Sequence, residues 1–120
     1  MSKKVLVIDD DRELLWLFQA ILQQQEIQAV TFNTGIPLEK IIAEHPDLIM
    51  LDVNIIGSEK NGTDICKEIK ESGGEFNVPV LLVSGENDLE VLARCCGADD
   101  FIAKPFDIDY LMNKIKKHLT

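Results

Sequence analysis

Cysteine is scarce in this sequence: Cys66, Cys95 and Cys96 are the only three, and no two of them form a C-x-x-C pair. Neighbouring Cys95 and Cys96 are poor disulfide partners, and an odd count argues against a disulfide framework. Reduced thiols are expected, with Cys66 and one of the pair serving as small core residues. Long apolar runs are missing as well. None approaches the ~20 residues of a membrane span, and the opening "MSKK" leads into only a short apolar stretch, so no secretory signal is visible. The cytoplasm is therefore the expected location. Positive charge is in short supply, with 12 Lys and Arg against 21 Asp and Glu and a net charge of −9. Phosphate backbones and anionic membranes are bound through clustered Lys and Arg, so neither is an expected partner of this domain. The one basic cluster, "NKIKKH" near the C-terminus, reads as a solvated helix face. His45 and His118 are too isolated for a metal site and are expected to face solvent.

What is present is a single domain's worth of chain, residues 1–120, long enough to bury a core. The hydrophobic period switches between short runs and helical spacing. "VLVI" (5–8), "IQAVTF" (27–32), "DLIML" (47–51), "VLLV" (80–83) and "DDFIA" (99–103) read as strands. Leu14, Leu17, Phe18, Ile21 and Leu22 stripe a first helix, with Asp11 as its cap. Asn33 or Thr34 is expected to cap a second helix through Leu38, Ile41 and Ile42. Further helices carry Ile65 and Ile69, Leu89 and Leu92, and Ile108 to Leu119, with "SGGEFNVP" as a loop. Five successive strand–helix units with strands apolar throughout imply a parallel sheet covered on both faces.

In such sheets ligands sit beyond the carboxyl ends of the strands, where strand order switches. The residues at those ends are Asp9 and Asp10, Asp52, Ser84 and Lys104. Three crowded carboxylates are tolerable around a divalent cation of Mg²⁺ character, bound by hard oxygens. A carboxylate beside that cation can also attack a phosphoryl group, while an ammonium and a hydroxyl donor stabilise the charge on its oxygens.

At these residues the chain resembles the receiver domain of two-component response regulators. "VLVIDDD", "PDLIMLDVNI", "VPVLLVSGE" and "GADDFIAKPF" carry the resemblance, in order and across essentially the whole chain. It implies a flavodoxin-like (βα)5 fold, a doubly wound five-stranded parallel sheet of order 2-1-3-4-5 flanked by five helices. It implies Asp52 as phosphoacceptor, and Asp9, Asp10, Asp52 and the backbone carbonyl of Asn54 as ligands of Mg²⁺, with Mn²⁺ an alternative. Ser84 and Lys104 match the groups that bind the phosphoryl, Ser84 and Phe101 the switch pair, and Pro105 a proline preceded by a cis peptide. The implied partners are a histidine kinase or histidine phosphotransfer protein and a downstream output domain or target. A phosphorylation-dependent dimer is a further implication. The activity is signalling: the domain assists its own phosphotransfer and dephosphorylation but is not an enzyme in its own right.

Two departures stand out. Ile56 occupies the position of the family's usual proline, and "IIGSEKNG" brings Gly62 two residues later than usual, so the loop after the third strand is longer. Phe101 lacks the hydroxyl of the common tyrosine. Asn54 and Glu86, each two residues past a matched position, fall where the family tunes dephosphorylation, and an amide and a carboxylate there can orient a water.

Two other readings compete. A haloacid-dehalogenase-like phosphatase also begins with an aspartate after an apolar strand, and Asp9 and Asp11 fit its D-x-D spacing. That reading leaves Asp52 without a role and places Asp99 and Asp100 before Lys104 instead of after it. A pseudo-receiver that never takes phosphate is favoured only by the Ile56 loop.

Overall fold

The computed structural model describes residues 3–74 and 76–119. Met1 and Ser2, Glu75 within the expected loop "SGGEFNVP", and Thr120 lie outside the described residues. The elements alternate strictly: β1 (Lys4–Ile8), α1 (Arg12–Gln24), β2 (Gln28–Phe32), α2 (Leu38–Ala43), β3 (Leu48–Leu51), α3 (Gly62–Ser72), β4 (Val80–Ser84), α4 (Leu89–Cys96), β5 (Asp100–Ala103) and α5 (Ile108–Leu119).

All five strands pair in parallel in the order β2-β1-β3-β4-β5. Because side chains alternate across a strand, each buried run serves two faces at once. Leu6, Ile8, Ile49, Leu51 and Leu82 face Ile41 of α2, Ile65 and Ile69 of α3 and Leu89 of α4. Val5, Val7, Met50, Leu81 and Val83 face Phe18 and Leu22 of α1 and Leu111 and Ile115 of α5. The doubly wound α/β architecture expected from the sequence is therefore the one present.

Local chemistry sets the helix starts. Asp11 caps α1 by accepting the N–H groups of Glu13 and Leu14. Asn61 and Asp64 form a reciprocal capping box at the start of α3. The expected cap of α2 is corrected: neither Asn33 nor Thr34 serves, and the helix starts behind Pro37 with no side-chain cap. The reason lies in the intervening loop. Gly35 donates its N–H to Ser58 Oγ at 3.2 Å, which draws that segment toward the longer loop after β3 and away from the helix start. Cys66 and Cys96 are buried and Cys95 is exposed, all three free, as the sequence suggests.

Candidate functional site

Strand register brings the site together. Ile8 pairs with Leu51, so the next residues, Asp9 and Asp52, leave adjacent strands at the same level. Backbone bonds hold them there: Asp9 N–H donates to Phe32 O at 3.1 Å and Asp52 N–H to Ile8 O at 3.0 Å. The order switches between β1 and β3, because chain connections leave these two strands toward opposite faces, which opens a crevice at their carboxyl ends. Ser84 ends β4 opposite Ala103, and Lys104 follows β5 with its N–H bonded to Ser84 O at 2.9 Å.

Ligand oxygens of Asp9, Asp10 and Asp52 all lie within 4.8 Å of one another. Asp9 is 1% exposed and Asp52 8% exposed. Both Asp9 oxygens are engaged, Oδ1 by the N–H of Asp11 at 2.9 Å and Oδ2 by Lys104 Nζ at 3.0 Å. The same ammonium is 3.7 Å from Asp52 Oδ2. The Lys104–Pro105 peptide is cis. Burial, and then the charge of Asp9, push the Asp52 carboxyl up from 3.8 to about 6; Lys104 pulls against them and Asp10 adds to the rise.

That electrostatic imbalance bears on the implied metal. Three carboxylates cluster together and one ammonium pairs with two of them, so the pocket carries excess negative charge presented by hard oxygen donors. This donor set suits Mg²⁺ or a similar hard dication and would suit a soft one poorly.

Around the mouth, the Asn54 amide donates to the Glu86 carboxylate, tying the loop after β3 to the loop after β4. The buried Ser84 hydroxyl accepts the N–H of Glu86 at 3.3 Å. Phe101 is half-buried against the α2–α3–α4 face, and its ring lies 5.4 Å from Lys114 Nζ. Ile56 is 80% exposed in the lengthened loop.

One residue behaves differently from expectation. His118 does not face solvent: its Nε2 lies 3.0 Å from Asp100 Oδ2, while Lys114 Nζ binds Asp100 Oδ1 at 2.6 Å. "NKIKKH" is thus only in part a solvated face. Burial acts to raise the Asp100 carboxyl, but hydrogen bonds from Lys114, His118 and the Phe101 N–H outweigh it and bring the group down to about 2. No sequence spacing announces this contact, because it joins β5 to the far end of α5. Asp11, by contrast, behaves as expected. Its side chain caps α1, and Asp10 joins Asp9 and Asp52 in its stead, so the D-x-D reading of a dehalogenase-like phosphatase loses its second carboxylate.

The sequence matches the response regulator receiver domain family over residues 5–116. The chain belongs to that family. This receiver domain is 33% identical, over 99% of its length, to the nisin biosynthesis regulatory protein NisR of Lactococcus lactis subsp. lactis, and it spans 51% of that protein. It is 31% identical to the sporulation initiation phosphotransferase F of Bacillus subtilis, covering 99% of this chain and 95% of that one. A solved CheY-like response regulator receiver domain from Methanospirillum hungatei superposes with a TM-score of 0.87 at 28% identity, over 99% of this chain and 94% of the other. The receiver domain thus spans about half the length of one curated relative and nearly all of another. Its role lies in two-component, phosphorelay signalling. No described helix is long and apolar enough to cross a membrane.

Proposed function

We propose that this receiver domain accepts a phosphoryl group on Asp52 from the phosphohistidine of a histidine kinase or histidine phosphotransfer protein. The observation that carries the reading is the placement of Asp52, buried at the switch in strand order, in one pocket with Asp9, Asp10 and the Lys104 ammonium. Similarity to a protein named a phosphotransferase, at nearly full length, supports the same direction.

In the forward step an Asp52 carboxylate oxygen attacks phosphorus. The bond from phosphorus to the donor imidazole nitrogen breaks, and its electron pair stays on the imidazole, leaving an aspartyl phosphate. Asp9, Asp10, Asp52 and the Asn54 carbonyl would hold Mg²⁺ (or Mn²⁺), which when bound neutralises the carboxylates and the phosphoryl oxygens. Lys104 exchanges part of its hold on Asp9 for a phosphoryl oxygen, and Ser84 turns its hydroxyl from the Glu86 N–H to donate to another. Hydrolysis reverses the loading: water attacks phosphorus, the bond to Asp52 breaks, and the carboxylate is restored. Asn54 and Glu86, already bonded to each other above the pocket, stand where an attacking water is oriented.

Phosphorylation shifts the balance between two conformations through Ser84 and Phe101 and changes the face formed by α4, β5 and α5. That face addresses an output domain or protein target, or a second copy in a phosphorylation-dependent dimer. Work in the cytoplasm, without direct contact to nucleic acid or membrane, fits the net charge of −9.

Incubation with acetyl phosphate and Mg²⁺, followed by hydroxylamine, tests the chemistry. The expected result is a hydroxylamine-labile phosphate on the wild-type protein, none on Asp52→Asn, and no turnover of p-nitrophenyl phosphate. Steady ester turnover without an adduct would contradict the reading and restore the phosphatase.

A further inference from the structure

The start of α3 touches the backbone of Asp52. A Cβ added at Gly62 would lie 1.9 Å from the Asp52 carbonyl oxygen, 2.7 Å from its carbonyl carbon and 3.2 Å from Val53 Cα. All three neighbours are backbone atoms, so no side chain can swing aside. Gly62 also donates its N–H to Val53 O at 2.8 Å, which holds the helix start to the same stretch of backbone.

Conformation does not explain the glycine. Gly57, Gly73, Gly74 and Gly97 take the left-handed φ values that favour the residue, and Gly62 does not. At a helix start alanine is the better former, so space is what the position requires. Neither side can yield freely. The helix start keeps its shape through the Asn61–Asp64 capping box and Thr63 Oγ1 donating to Asn61 Oδ1 at 2.6 Å, and Ile65 and Ile69 bury the helix in the core beneath the sheet. Asp52 is held from behind by its N–H bond to Ile8 O.

We propose that Gly62 is a positioning residue for the phosphoacceptor: its missing side chain lets α3 seat directly on the Asp52 peptide and set where the carboxylate stands. The seat accounts for the tolerance of the longer loop. Residues 53–61 can gain length and expose Ile56, because α3 takes its place from Asp52 itself and not from the loop. A methyl group at Gly62 requires about 1.5 Å of retreat from the Asp52 carbonyl oxygen before ordinary contact is restored. A shift of that size moves Asp52 relative to Asp9, Asp10 and Lys104, and misplacements of this order disable reacting geometries.

This inference rests on Asp52 and its neighbours binding Mg²⁺ and taking phosphate, and the test separates the two. Mg²⁺ affinity is measured by calorimetry for wild type, Gly62→Ala and Asn61→Ala, each confirmed folded by circular dichroism, together with the rate of acetyl phosphate labelling. Asn61→Ala removes the cap of the same helix without a clash. It is expected to lower the unfolding temperature while leaving Mg²⁺ affinity within twofold of wild type. Gly62→Ala is expected to lose at least tenfold in Mg²⁺ affinity and in labelling rate while folded.

A folded Gly62→Ala that binds Mg²⁺ and is labelled as wild type would overturn the positioning role. Absence of Mg²⁺ binding by wild type would instead overturn the proposed function. If Gly62→Ala fails to fold in buffer, the comparison moves to trimethylamine N-oxide, which favours compact states, for all three proteins. Failure to fold there too would mean that the glycine serves the fold as a whole and would likewise overturn the positioning role.

Discussion

Lys104 holds Asp9 more closely than it holds Asp52: its ammonium is 3.0 Å from Asp9 Oδ2 and 3.7 Å from Asp52 Oδ2. The lysine therefore has two duties that one substitution separates. Lys104→Met leaves a nearly fully buried carboxylate without its cation, which should cost about 1–3 kcal/mol of metal-free stability in urea titrations, since Lys104 is itself partly exposed. Removing a positive charge from among the carboxylates should tighten Mg²⁺ binding. Phosphorylation should nonetheless slow by roughly 10²-fold, the scale of losing one transition-state donor. Weaker Mg²⁺ binding in this variant would contradict the charge balance described.

Metal-free stability should depend on pH through Asp52. Its carboxyl is raised from 3.8 to about 6 in the fold, by burial first and then by Asp9, so the folded state takes up its proton more readily than the unfolded chain. The resulting contribution is fully present below pH 4 and is lost as pH rises through 6. Its size is at most about 3 kcal/mol. Denaturant midpoints with chelator present, compared between wild type and Asp52→Asn, should diverge across that window. A constant difference from pH 4 to 7 would count against the raised carboxyl.

Asp100 should produce the opposite pH dependence. Burial would raise it, yet Lys114 and His118 bring it down from 3.8 to about 2, so its contribution is present above pH 4 and lost as pH falls through 2. Asp100→Asn is expected to destabilise the protein by about 2 kcal/mol at pH 7, with the gap closing toward pH 2. Thermal melts over that range are the measurement, and a gap that stays open in acid would contradict the assignment.

The Asn54–Glu86 hydrogen bond bears on phosphate lifetime. If the two groups orient the attacking water, Glu86→Ala should lengthen the half-life of phosphorylated protein several-fold while leaving Mg²⁺ affinity unchanged. Decay of labelled protein after removal of the donor gives the answer. An unchanged half-life would leave the pair with a purely structural link between two loops.

Sequence and structure part company where contacts are long-range. Apolar runs such as Leu48–Leu51 and stripes such as Phe18, Ile21 and Leu22 express local periodicity, so the five strand–helix units were legible, with strand ends shifted by a residue or so. Asp9, Asp52 and Lys104 were legible for the same reason: each follows a readable strand, and parallel register does the rest. Asn33 and Thr34 looked like helix caps, but capping depends on where the chain bends, and the Gly35–Ser58 bond decides that from 23 residues away. His118 on Asp100 and Gly62 under Asp52 were likewise beyond sequence periodicity, since both depend on packing between distant elements.

The most direct test of the account is intact-mass spectrometry of wild type and Asp52→Asn after incubation with acetyl phosphate, with and without Mg²⁺. The account predicts a Mg²⁺-dependent gain of one phosphoryl mass on wild type and none on the variant. No adduct on wild type under rapid quench, with beryllofluoride also failing to bind, would contradict it and make this chain a receiver fold that never takes phosphate.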